Sequence, residues 1–131
     1  MKLEYLDATG GGKYPKASPK CLIRLSEFSE KERLELISDI ENKMFDSNEV
    51  LELHALSYIT AIGCKVTFHL AERDQCLVPS GPHNEFDSLL TPSAFADMLE
   101  IIRQVGDSYN WLTPGEYLDE PAFLISKRGT W

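Results

Sequence analysis

The stretch from Val50 to Glu72, VLELHALSYITAIGCKVTFHLAE, restricts the fold more than any other part of the chain. It reads as two strands joined at Thr60-Ala61-Ile62-Gly63. Successive side chains of a strand point to opposite faces. Cys64, Val66, Phe68 and Leu70 therefore share one face, and Lys65, Thr67 and His69 share the other. Upstream, Leu51, Leu53 and Ala55 oppose Glu52, His54 and Leu56. One apolar face and one mixed face are expected of an antiparallel pair covered on one side. A symmetric loop over residues 60–63 sets Ile59 against Cys64 and places His54 opposite His69, at a Cβ separation of roughly 5 Å. A bulge at Gly63 would break that register.

The flanking segments supply two helices and further strands. Met1 to Asp7 reads as a short strand. Thr9 to Pro19, with three consecutive glycines and two prolines, reads as a flexible loop. The GGGK run within it lacks the GxxxxGK[ST] spacing and no helix pattern follows, so a phosphate loop is rejected. Lys20 to Phe28 is strand-like. Ser29-Glu30-Lys31-Glu32 is a capping box, opening a helix whose apolar stripe is Leu34, Leu36, Ile37, Ile40 and Met44. Gln75 to Val78 forms a short strand closed by Pro79, which suits an edge. Thr91-Pro92 pairs a capping hydroxyl with proline at the first helical position. Phe95, Met98, Leu99, Ile102 and Val105 then face inward, and Gly106 is placed to end the helix. Ala122 to Ser126 (AFLIS) is an apolar strand.

Without the N-terminal strand and the 75–90 insertion, the order is β-α-β-β-α-β. This predicts an α+β two-layer sandwich with a ferredoxin-like core, two helices covering one face of a mainly antiparallel sheet. The open face would carry Arg24, Ser26, Glu52, His54, Leu56, Tyr58, Lys65, Thr67 and His69. At 131 residues and 43% apolar content, a single domain is expected over 1–131, with 1–19 as strand plus loop and 20–131 as core.

The net charge of -8 argues against nucleic acid or an anionic membrane as partner, since phosphate binding rests on Lys and Arg. No apolar run reaches membrane-spanning length, and the N-terminus lacks a signal-peptide block, so a cytoplasmic location is expected. Cys21, Cys64 and Cys76 form no CxxC pair and read as reduced structural thiols.

Three constellations bear on function. His54, His69 and Glu52 offer two imidazoles and a carboxylate, a donor set suited to zinc. His83, Glu85 and Asp87 alternate along one strand face and combine an imidazole with two carboxylates. The aromatic residues Tyr109, Trp111, Tyr117, Phe123 and Trp131 crowd the C-terminal part. Of these Trp111 and Trp131, with Leu56 and Tyr58 on the open face, are the expected partner-binding residues. No nucleophile elbow, Cys/His dyad or dinucleotide-binding glycine pattern is present. The sequence thus favours a small non-catalytic binding or regulatory protein with no cofactor. It would act through contacts with a protein partner or a second copy in a homodimer. An acidic antagonist that neutralises a basic protein is one concrete form. The alternative is a zinc-binding protein or small enzyme built on the histidine pair.

Overall fold

The computed structural model describes residues 1–7, 21–113 and 121–128, with the side chains of Asp7 and Cys21 excepted. The expected loop over 9–19, Tyr117 and Trp131 lie outside the described residues. The elements run β1 (Lys2–Asp7), β2 (Cys21–Ser26), α1 (Glu30–Asp39), β3 (Leu51–Glu52), β4 (Thr60–Ile62), β5 (Lys65–Leu70), β6 (Cys76–Gly81), β7 (Glu85–Leu90), α2 (Pro92–Gln104), β8 (Tyr109–Thr113) and β9 (Ala122–Ser126).

The capping box forms as the sequence predicts. The Glu32 amide donates to Ser29 Oγ at 3.2 Å, and the Ser29 amide donates to Glu32 Oε1 at 2.9 Å. Beyond Asp39 the helix continues as a wider, π-helical run, Ile40–Asp46, in which the Ser47 amide reaches back to the Asn42 carbonyl. Within this run Ile40 and Met44, four residues apart on one face, are both buried in the core. Leu34 departs from the expected stripe: it is 54% exposed. The second helix is capped by Thr91, whose hydroxyl accepts from the Ala94 amide at 3.2 Å, with Pro92 in the first turn. It buries Phe95, Met98, Leu99 and Ile102. The helices meet where Arg33 of α1 donates to the Ile102 and Arg103 carbonyls at 3.2 and 2.7 Å, satisfying acceptors at the end of α2.

The chain is α+β, and its described residues form two mixed sheets of five and four strands. The first has the order β4-β1-β2-β9-β8, the second β3-β5-β7-β6. Both give one face to a single apolar cluster with the helices. Phe68 of β5 lies at its centre, 5.2 Å from the Phe95 ring and 6.1 Å from the Phe123 ring. Tyr5 stacks on Phe86 at 6.2 Å, joining the sheets elsewhere.

This pairing does not reproduce the ferredoxin-like order. β2 lies parallel to β9 and β5 parallel to β7, so the strands divide between two sheets. The expected hairpin is also replaced. β3 pairs Leu51 with Phe68 and Glu52 with Thr67, and the chain then leaves the sheet through a 3-10 turn, Leu53–Ala55. That turn points Leu53 into the core, as alternation would have done, so the two conformations share one hydrophobic pattern. Gly63 takes φ +74, the left-handed conformation open to glycine, where the chain passes from β4 to β5.

The five-stranded sheet is buried on both faces around β2 and β9. Arg24 is 5% exposed and Ser26 fully buried, contrary to the open face expected there. Arg24 pairs with Glu4, its direct cross-strand neighbour, at 3.2 Å, and Ser26 Oγ donates to the same carboxylate at 3.3 Å. No helix among the described residues is long and apolar enough to cross a membrane.

Candidate functional site: the outer face of the four-stranded sheet

The alternation read in Lys65–Leu70 holds in the fold. Val66 and Phe68 are buried, while Lys65, Thr67 and His69 point to the other side. Registers across the sheet align Glu52 with Thr67, Thr67 with Asp87 and Asp87 with Val78. A polar row therefore crosses all four strands. Lys65 and Glu85 flank it at one end, His69 and Leu89 at the other. Glu52 and Lys65 are exposed; Thr67, His69, Val78, Glu85, Asp87 and Leu89 are half-buried. Behind them, Phe86, Ser88 and Leu90 of β7 pack inward.

The candidate residues meet in combinations the sequence did not indicate. His54 sits on the 3-10 turn, where its ring Nδ1–H donates to the Val66 carbonyl at 3.3 Å and Nε2 lies 3.2 Å from Glu52 Oε2. His69 instead places Nε2 3.1 Å from Asp87 Oδ1, across two parallel strands. Each imidazole thus has its own carboxylate, and the face-to-face histidine pair is not formed, because β3 ends before His54. Glu85 pairs with Lys65 at 3.7 Å, and His83 is exposed on the β6–β7 loop. The His83/Glu85/Asp87 set is therefore divided. His83 and Asn84 take φ +61 and +60, and the Asn84 carbonyl accepts from the Lys65 amide at 3.0 Å, so this loop is shaped for the turn. Among the described residues no three His, Cys, Asp or Glu side chains are placed to hold a metal ion.

Leu56 and Tyr58 are half-buried against the core instead of standing on the sheet face. Trp111 lies half-buried on the edge strand β8, its ring 6.0 Å from Tyr109. The sequence put Thr67 on one face with His69 but gave no sign of Asp87, Val78 and Leu89 as their neighbours. The parallel pairing of β5 with β7 brings them together, and only the matching parity of the two strands hints at it.

Two clefts lie near this face, the first of them meeting it at Glu52. One of about 570 Å³ is lined by Lys43, Glu49, Val50, Leu51, Glu52 and Leu56, among others. Another of about 260 Å³ lies between α2 and β8, with Asp74, Cys76, Asp97 and Thr113 among its lining residues. Neither brings an imidazole to a carboxylate. Cys64 is buried, its thiol 3.8 Å from the Leu3 carbonyl; burial, with the Glu4 charge in a smaller role, pushes its pKa up to about 12. Such a thiol is a poor nucleophile at neutral pH. Comparison with models of known protein families, with curated proteins and with solved structures found no match.

Proposed function

We propose that the protein is a non-catalytic binding module that engages a protein partner through the outer face of the four-stranded sheet. The observation that carries this reading is the continuous row Glu52, Thr67, Asp87 and Val78, with the core packed behind it and solvent before it. Val78 and Leu89 supply apolar contact area, and the surrounding charges supply selectivity. Glu52, Glu85 and Asp87 outnumber Lys65 on this face, and the whole chain carries -8. A partner presenting Arg or Lys therefore fits best, and long-range attraction would speed encounter.

Two variants adding the same charge at different places test the reading. Thr67→Arg lies on the face, and Ser38→Arg on the exposed side of α1. After cross-linking in cells, a partner retained by Ser38→Arg and lost by Thr67→Arg is expected. With that partner purified, amide exchange should slow over 65–70 and 85–90. Partners equally recovered by both variants, or protection confined to other segments, would refute the assignment.

A further inference from the structure

Thr113, the last residue of β8, is 4% exposed, and its Oγ1 is shut off from solvent without a hydrogen-bond partner among the described residues. Native proteins leave few buried hydroxyls unpaired, because each is unfavourable. The direction of this one comes from an irregularity of the strand. In a regular strand Leu112 and Thr113 would point to opposite sides. A bulge between Trp111 and Thr113 breaks that alternation, so both residues are buried and both line the cleft of about 260 Å³ between β8 and α2.

Met98 and Ile101 of α2 give the same cleft an apolar wall. Its charges are acidic throughout. Asp74 and Asp97 stand exposed at the rim, with no Lys, Arg or His among the described lining residues. Asp74 Oδ1 accepts from the Thr91 amide at 2.9 Å, which fixes this carboxylate beside the start of α2. Neither carboxylate has a cationic partner among the described residues.

We propose that this cleft binds a small organic amine, protonated at neutral pH, through its apolar body, its ammonium and one further polar group. The body lies against Met98, Ile101 and Leu112. The ammonium meets Asp74 and Asp97 at the rim, and the second polar group bonds the Thr113 hydroxyl. A cleft of this size suits only a small occupant. Carboxylates without a counter-charge favour a cation and repel an anion. A metal ion does not fit, since no three donor side chains converge among the described residues. This site is separate from the partner face, so the two assignments stand or fall separately.

Tyramine is the probe, with a phenol at one end and an ammonium at the other. Phenethylamine lacks the phenol, and para-hydroxyphenylacetate carries a carboxylate in place of the ammonium. Titration of the full chain up to about 10 mM, followed by methyl NMR, measures each affinity. Tyramine is expected to shift the methyl signals of Met98, Ile101 and Leu112. Phenethylamine should bind about tenfold more weakly, and the acid should not bind. Thr113→Val keeps the shape and removes the hydroxyl, so it should bind the two amines equally. Asp97→Asn, at an exposed position, should weaken both amines about threefold and supplies the answer if the valine variant fails to fold. Tyramine should also slow alkylation of Cys76, which lines the same cleft. Thr67→Arg, on the partner face, should alter none of these results. Absence of the methyl shifts, equal binding of the acid, or unchanged tyramine affinity in both cleft variants would overturn the proposal. So would shifts confined to other residues.

Discussion

The Tyr58 hydroxyl donates to the Asp39 carboxylate at 2.7 Å, and this bond fastens the segment following the 3-10 turn to the end of α1. Tyr58 is therefore a structural tie. Burial, then the hydrogen bond to Asp39 and its charge, hold the phenol above the ordinary tyrosine range. Tyr58→Phe removes the donor and leaves the carboxylate without it. A loss of about 1.5–3 kcal/mol in urea unfolding is expected, the range for hydrogen bonds to charged acceptors. No loss would mean that water replaces the phenol without penalty.

Ser29 sits at the start of α1 and takes part in both bonds of the capping box. Ser29→Ala deletes one acceptor and should lower stability by about 1 kcal/mol, with Ser29→Asp close to wild type. Thermal unfolding followed by circular dichroism measures both. An equal loss in the two variants would show that the side chain packs more than it caps.

Phe68 touches rings from α2 and β9, so it couples the four-stranded sheet to the second helix and the five-stranded sheet. Phe68→Ala should cost about 3–5 kcal/mol. The loss should appear as one cooperative transition in both fluorescence and circular dichroism. Separate transitions for the two probes would show that the sheets unfold independently.

Alkaline pH supplies a fourth test. The Cys64 thiol has an ordinary value of 9 and is raised to about 12 in the fold. Above pH 9 the unfolded chain loses this proton while the folded chain keeps it, so the unfolded state gains. The stabilisation associated with the neutral thiol is present below pH 9 and is lost as pH rises through about 12. Cys64→Ala should flatten that part of the stability curve, as read from urea midpoints between pH 8 and 11. At neutral pH, thiol reagents should modify half-buried Cys76 well before buried Cys64.

Local chemistry was legible in the sequence. The capping box at Ser29 and Glu32, the Thr91-Pro92 helix start, Pro79 on an edge strand and the two-sided alternation of Lys65–Leu70 all rest on neighbours a few residues apart. What escaped depends on distant pairing. Nothing near Leu22 or Ala122 announces that β2 and β9 lie side by side in parallel. Nothing near His69 announces that its partner is Asp87, eighteen residues on. The histidine register failed for a different reason. Leu53 is buried whether residues 53–55 are strand or 3-10 turn, so hydrophobic pattern alone could not choose between them.

The place of β9 also bears on synthesis. It fills the gap between β2 and β8, and its five residues are buried. As the chain emerges from the ribosome, β2 has one flank unpaired until about a hundred further residues have been made, and closing so long a loop is slow. A nascent chain stopped before Ala122 has an apolar strand open to whatever it meets. Chaperone dependence during translation, and aggregation of fragments cut short of β9, are the natural consequences of a sheet completed from far along the chain.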